Sequence, residues 1–313
     1  MRRRALLVLC ALLGGLLMPV CRARADDGRE TRRAAHGEGI LRLGIVPFNS
    51  VSALLRIHRP LRDYLARVLE RDVRIYSSRD HEQFLNNALD GYFDVLITTA
   101  HFLPMLVDDG FVALVRYRNP LEVMLVTRKD SRIEKAEDLR GQRVALPDRL
   151  SLYHIVGMQW LDGLHLRAGT DYFPKEYPSH AAALLAVKAG RADIAVTANT
   201  VWAQMGDDVH GHLRPLDANH SVLPAMMTLA RGDLGETGIA RIRAALDAFP
   251  GSPEGKRFFA ATGYGGYVAA TAGDVAAGRL YEPLVRRWWR HAPGGDAGGR
   301  ANPDAARPPR ADE

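Results

Sequence analysis

Cysteine is almost absent from this sequence. Its two cysteines, Cys10 and Cys21, both lie within the first 25 residues. The rest of the chain therefore has no disulfide bond, no thiol nucleophile and no cysteine ligand for a metal. Long apolar runs are also scarce. The most extended one, from Ala5 to Val20, is short for a membrane-spanning helix.

The chain also lacks a strong excess of one charge. It has 42 lysines and arginines against 36 aspartates and glutamates, but five of the arginines and none of the acidic residues lie in residues 1–25. The rest of the chain contains 37 basic and 36 acidic residues. A nearly neutral body gives no electrostatic support for nucleic-acid binding, and we expect no nucleic-acid partner.

The first 25 residues have the features of a secretory signal peptide. Arg2–Arg4 form a basic start, an apolar run follows, and Ala23–Ala25 supply an A-x-A cleavage site. We expect cleavage after Ala25 and a periplasmic location. Lipidation at Cys21 is the alternative, but Met18–Val20 before it lack the small residues that lipidation requires.

Short apolar strands alternate with amphipathic helices through the body of the chain. Strands are predicted over 40–46, 73–76 and 94–97, with helices over 51–69 and 80–89 between them. This alternation is typical of βαβ units and of parallel sheets, so we predict an α/β fold class.

The pattern recurs about one hundred residues later in the chain. A predicted strand over 142–146 ends at Pro147, as the first strand ends at Pro47. An ungapped repeat at an offset of 99 matches His81, Leu85, Gly91, Asp94 and Thr98 with His180, Leu184, Gly190, Asp193 and Thr197. The repeat predicts two similar lobes, each with a helix, a terminal glycine and a buried strand.

Two similar segments, each a strand followed by a charged turn, bracket the second half of the chain. They lie near 122–130 and 225–233, and we interpret them as two crossings between lobes. The C-terminal segment is rich in glycine, proline, alanine and aspartate, which is typical of a disordered tail. The predicted division is 38–125 with 227–290 for lobe one, 126–226 for lobe two and 291–313 for the tail.

Several motifs follow one another in an order that carries a family resemblance. They are LVTRKDS from Leu125, DLRGQRVALPD from Asp138, SHAAALLAVKAGRADIAV from Ser179 and YGGYVAAT from Tyr264. Over residues 38–285 the chain resembles the phosphate/phosphite/phosphonate-type substrate-binding proteins of ABC transporters. Two turns depart from the family pattern. The turn after 143–146 retains a single hydroxyl, Ser151, and adds the acidic residue Asp148. The turn after the third predicted strand, 94–97, has the sequence Thr-Thr-Ala-His from Thr98.

The resemblance implies a two-lobed, type-two periplasmic-binding-protein fold with two hinge crossings. It implies a monomer that binds a small polar, anionic, phosphate- or phosphonate-like molecule and delivers it to an ABC permease in the inner membrane. No cofactor and no catalysis are expected. A sensing or accessory protein of the same fold, working with a membrane sensor or a redox assembly, is the alternative from another class.

Ligands of open α/β sheets collect beyond the carboxyl ends of the strands, and this rule selects the candidate site. Most of the selected residues are neutral hydrogen-bonding groups, which together with helix N-termini can hold an anion. The candidates are Asn49, Ser50, Thr98, Thr99 and His101 from lobe one, and Ser151, Ser179, His180, Thr197 and Asn199 from lobe two.

Structural roles remain open for several of these residues. Asn49–Ser50 and Ser179 are also suited to capping the helices that follow them. His81 is expected in the first turn of its helix, away from the cleft.

Catalytic and metal sites find little support in the sequence. No G-x-S-x-G elbow surrounds Ser151, and the chain has no P-loop. His210 and His212 could hold zinc, but their glycine and aspartate neighbours favour a surface loop. An enzyme on this fold is therefore the least favoured function.

Overall fold

The computed structural model describes residues 39–289 of the chain. Within these residues, no helix is both long enough and apolar enough to span a membrane. The strands are β1 (Leu41–Ile45), β2 (Val73–Tyr76), β3 (Val95–Thr98), β4 (Phe111–Tyr117), β5 (Leu121–Arg128), β6 (Arg143–Leu146), β7 (Phe173–Glu176), β8 (Ile194–Ala198), β9 (Leu213–Leu223), β10 (Met227–Arg231) and β11 (Tyr267–Ala269).

Helices fill most of the connections between these strands. The α-helices are α1 (Val51–Leu69), α2 (His81–Leu89), α3 (Leu103–Asp108), α4 (Leu152–Gly163), α5 (His180–Lys188), α6 (Asn199–Gln204), α7 (Asp207–His212), α8 (Gly235–Ala248), α9 (Pro253–Thr262), α10 (Ala272–Arg279) and α11 (Glu282–Trp288). The segment around His210, predicted as a surface loop, is the short helix α7, in which the ring of His210 lies 2.9 Å from the Trp202 carbonyl.

The strands form two separate sheets. The first has the order β11-β4-β10-β3-β1-β2 and the second β7-β6-β8-β5-β9. In each sheet a parallel core (β2-β1-β3 and β7-β6-β8) is joined to antiparallel strands. The chain passes from the first sheet to the second after Tyr117 and returns after Leu223. The predicted division at residue 126 therefore falls inside β5, all of which pairs in the second sheet.

The sequence repeat corresponds to one arrangement that is built twice. Asp94 precedes β3 and accepts hydrogen bonds from the backbone amide and guanidinium of Arg42 on β1, at 2.8–3.1 Å. Asp193 precedes β8 and binds the amide and guanidinium of Arg143 on β6 at 2.8–2.9 Å. Each aspartate thus ties the start of one parallel strand to its neighbour, which explains why the pattern requires an acid at this position.

The repeated helices also begin and end alike. Asp80 caps α2 by accepting from the Gln83 amide at 2.7 Å, and Ser179 caps α5 by accepting from the Ala182 amide at 3.2 Å. After the helices, Gly91 has φ +79° and its counterpart Gly190 has φ +69°. This left-handed conformation favours glycine over residues with a side chain. Each helix therefore returns the chain to the sheet at the same angle.

Candidate functional site

The carboxyl end of β3 lies against the turn between β6 and α4, so the two sheets meet there. The His101 ring nitrogen Nε2 is 2.7 Å from the Leu150 carbonyl oxygen. Arg149 and Glu82 form an ion pair at 3.0 Å across the same junction. These contacts connect the lobe that contains the first sheet with the lobe that contains the second sheet.

His81 also lies at this junction, and the expectation that it lies away from the cleft is wrong. It is buried, its backbone amide donates to Asp148 Oδ2 at 3.3 Å, and its Nδ1 is 3.7 Å from Asp148 Oδ1. The reason is geometric: the first turn of α2 stands at the carboxyl edge of the first sheet, where the 147–151 turn of the other lobe meets it.

Asp148 is therefore engaged by the protein itself. In addition to its contacts with His81, it accepts a hydrogen bond from the Leu150 amide at 2.8 Å. Burial favours the neutral carboxyl, but the charge and hydrogen bonds of His81 and the Leu150 amide outweigh it. They hold the pKa of Asp148 well below its ordinary value. The Asp148 carboxylate therefore interacts with groups of this junction.

Two candidates from different helices of the second lobe meet directly. Ser151 caps α4 by accepting from the Tyr153 amide at 3.3 Å, and its hydroxyl lies 3.2 Å from Nε2 of His180. The ring of Tyr153 packs edge-on against the ring of His180, with centroids 4.8 Å apart. The start of α4 and the start of α5 therefore converge on one point.

Four of the predicted site residues carry buried polar atoms without a hydrogen-bond partner among the described residues. Buried polar groups in folded proteins nearly always have a partner, so such atoms indicate a place where a ligand or water binds. The two threonines occupy equivalent positions at the ends of β3 and β8. The atoms are Thr98 Oγ1, His101 Nδ1, His180 Nδ1 and Thr197 Oγ1.

Three of the remaining candidates, Asn49, Ser50 and Asn199, accept hydrogen bonds from backbone amides, and Thr99 is buried. Asn49 accepts from the Ser50 amide at 2.8 Å, and the exposed Ser50 caps α1 through the Ala53 amide at 3.3 Å. The Asn199 side-chain oxygen accepts from the amides of Thr200 and Glu122, at 2.8 and 3.2 Å, beside the first crossing between the sheets. Thr99 is buried immediately after β3.

Burial keeps the imidazoles of His101 and His180 neutral. Burial lowers the pKa of His101 to about 3, and burial together with the nearby His81 lowers the pKa of His180 to about 3. Both rings are therefore neutral hydrogen-bonding groups.

An aromatic cluster near the crossings was missed by the sequence reasoning. Tyr117, the last residue of β4, stacks on Tyr264 at 4.2 Å and on Tyr267 at 5.1 Å between ring centroids. The Tyr264 hydroxyl also accepts from the side-chain amide of Gln204 on α6 at 3.2 Å, a further contact between the two lobes. The signal was present in the YGGY motif from Tyr264, which was used only for the resemblance.

Comparison with known proteins gives both a family and a fold. The family described as the periplasmic substrate-binding protein of phosphonate ABC transporters matches residues 43–275. A binding-protein component of an ABC phosphonate transporter from Pseudomonas aeruginosa has a TM-score of 0.71 at 15% identity, covering 80% of this chain and 88% of that one. A methylphosphonate complex from Prochlorococcus marinus has a TM-score of 0.67 at 14% identity, covering 79% and 100%.

A related fold also occurs in proteins that bind other ligands. The periplasmic aliphatic sulphonate binding protein of Escherichia coli has a TM-score of 0.57 at 18% identity, covering 80% of this chain and 93% of that one. At such identities the solved structures establish the fold, and the two-lobed periplasmic-binding fold predicted from the sequence is confirmed. Since the family match spans most of both sheets, this chain belongs to the periplasmic substrate-binding proteins of phosphonate ABC transporters.

Proposed function

We propose that this protein binds a small tetrahedral oxyanion, of the phosphonate or phosphite type, between its two lobes and delivers it to an ABC permease. One observation carries the proposal. Thr98 and His101 from one lobe, and Thr197 and His180 from the other, have buried polar atoms without partners among the described residues. Strand-end hydroxyls and imidazoles of this kind are suited to the oxygens of a ligand of this type, which the family match also supports.

Helix N-termini would supply the remaining attraction for an anion. Ser151 caps α4 and His180 is the first residue of α5, and their side chains are 3.2 Å apart. The first turns of these helices present backbone amides and the positive end of each helix dipole. These fixed donors would hold an anion without a charged side chain. The Asp148 carboxylate accepts hydrogen bonds from the backbone amides of His81 and Leu150.

Binding would act by favouring the closed arrangement of the lobes. A ligand that contacts both lobes binds the closed state more tightly than the open one, and this difference in affinity drives closure. The contacts of His101 with Leu150 and of Gln204 with Tyr264 would then form at the two sides of the cleft. No bond of the ligand needs to be made or broken, so the function requires no enzyme activity. We place the lobe boundaries in the connections 118–120 and 224–226, and we propose that the protein works as a monomer.

The periplasmic location is part of this proposal. Residues 1–25 lie outside the described part of the chain, so the proposal rests on their sequence and on the family. We expect the exported protein to begin at Asp26. Intact mass measurement on the periplasmic fraction tests this, and a chain that retains residues 1–25 or carries a lipid on Cys21 would contradict it.

A thermal-shift screen tests the ligand class. Methylphosphonate, phosphite, phosphate and methanesulfonate are compared, with arginine as a cationic control. A ligand present at one hundred times its dissociation constant adds about 2.7 kcal/mol to the free energy of unfolding. We expect a rise in Tm with at least one tetrahedral oxyanion and none with arginine. A rise with arginine alone would contradict the proposal.

A further inference from the structure

We propose that His101 selects ligands that carry a proton on the bound head group, so that a hydrogen phosphonate or hydrogen phosphite is bound and a sulfonate is rejected. This inference rests on the proposed function, because it assumes that a tetrahedral oxyanion binds in the cleft. It assigns to one side chain the choice between two oxyanions of nearly the same shape.

The first step is the position of the proton on the His101 ring. Its Nε2 lies 2.7 Å from the Leu150 carbonyl oxygen, which can only accept, so Nε2 must carry the hydrogen. The ring is fully buried, and burial lowers its pKa to about 3. A neutral imidazole carries one ring proton. Nδ1 is therefore a bare acceptor.

The second step is that this acceptor has no partner within residues 39–289. Nδ1 of His101 is buried and receives no hydrogen bond from any described residue. The ring is held by Leu150 on one side and is stacked on Phe102 at 4.0 Å between centroids. A buried acceptor fixed in this way is satisfied only by a group that donates.

The titratable and charged groups that face His101 are His81, Asp148, Arg149 and Glu82, and none of them donates to its Nδ1; the His81 ring also has Nδ1 without a partner among the described residues. Asp148 has only acceptor oxygens, and these are used by His81 and the Leu150 amide. The other charged pair at this junction, Arg149 with Glu82, is closed on itself at 3.0 Å. Since no described residue donates to Nδ1, the ligand is the donor in this proposal.

The surrounding site complements a protonated oxyanion. Hydroxyls of Thr98 and Thr197 and the first amides of α4 and α5 can donate to bare oxygens of the ligand, while His101 accepts from its single P–OH group. A monoanionic phosphonate or phosphite has both kinds of oxygen. A sulfonate at neutral pH has three bare oxygens and no proton, so it would leave Nδ1 of His101 unsatisfied.

Calorimetric titration of the whole protein with methylphosphonate and methanesulfonate tests the inference. The two ligands share a methyl group and a tetrahedral head, and only methylphosphonate keeps a proton below its second ionisation. We expect methylphosphonate to bind at least about tenfold more tightly at low pH. Its affinity should fall as pH rises past its second ionisation. The fall for phosphite should come at lower pH, because phosphite ionises more readily.

Three variants locate the selectivity. His101→Phe keeps the aromatic stacking but removes the acceptor, and its preference for methylphosphonate should fall to within about threefold. His101→Gln can donate to Leu150 with its nitrogen and accept with its oxygen, so it should keep the preference. His58→Phe is the matched control, because His58 is also a buried histidine with one ring nitrogen, Nδ1, 2.9 Å from a backbone carbonyl, that of Leu54 within α1, and should not affect the choice.

The outcomes separate this inference from the proposed function. If methanesulfonate binds as tightly as methylphosphonate, or if His101→Phe keeps the full preference, the site holds oxyanions but the role of His101 is wrong. If methylphosphonate, phosphite and methanesulfonate all fail to bind, the proposed function is wrong and the inference fails with it. The comparison of ligands and pH values uses the unaltered protein, so it decides the matter even if a variant does not fold.

Discussion

Replacement of Asp94 by alanine is expected to lower the free energy of unfolding by about 3–5 kcal/mol, because it breaks a buried ion pair from one side. Asp94 binds the amide and guanidinium of Arg42 at 2.8–3.1 Å, and both side chains are at most 5% exposed. The substitution leaves the Arg42 charge buried, with a 3.4 Å contact to the Gly91 carbonyl and with the centroid of the Tyr92 ring 5.8 Å away. Urea denaturation measures the loss, and a change below about 1 kcal/mol would contradict this account.

The repeat provides a matched control for this prediction. Asp193→Ala removes the equivalent acid in the second lobe, where the hydrogen bonds to Arg143 have nearly the same lengths. The Arg143 side chain, however, is half exposed, so water can replace its partner. We therefore expect a clearly smaller loss for Asp193→Ala than for Asp94→Ala. Equal losses would show that burial does not determine the cost.

Replacement of His180 by alanine is expected to weaken oxyanion binding by about 1.5–3 kcal/mol, the usual contribution of a hydrogen bond to a charged group. His180 is fully buried at the start of α5, contacts the Ser151 hydroxyl at 3.2 Å and has Nδ1 without a partner among the described residues. Calorimetry with methylphosphonate, or with phosphite if methylphosphonate does not bind, measures the change.

The control for His180 comes from the same lobe. His210→Ala removes a partly buried histidine of α7 whose ring contacts Trp202, with a ring nitrogen 2.9 Å from the carbonyl and ring centroids 4.5 Å apart. It should leave the affinity nearly unchanged. Equal and negligible losses for both variants would mean that the binding residues are misplaced, although the fold would stand.

The helices of the parallel cores could be predicted closely from the sequence. The predicted helix over 51–69 has those bounds, and the helix predicted over 80–89 is α2, which begins at His81 with Asp80 as its cap. Both succeed because apolar spacing and a capping side chain are local properties that the sequence displays directly. The strand β7 was missed: Phe173–Glu176 is exposed, contains a proline and shows no alternation. Its conformation depends on pairing with β6, which is not local.

The candidate site also has features that could be predicted from local sequence and features that depend on non-local contacts. The approach of Ser151 to His180 follows from the strand-end rule applied to one lobe. The contact of His81 with Asp148 joins residues 67 positions apart on different lobes, so it depends on how the lobes meet. The neutral state of His101 could not be predicted from the sequence either, because the burial that lowers its pKa is a property of the folded structure and not of the local sequence.

A crystal structure of the protein with bound methylphosphonate tests the central claim most directly. The account predicts that the phosphonate lies between the lobes, with its oxygens within hydrogen-bond distance of Thr98, Thr197 and His180 and one of them facing Nδ1 of His101. A ligand bound outside this cleft, or one that leaves these atoms without partners, would contradict the account.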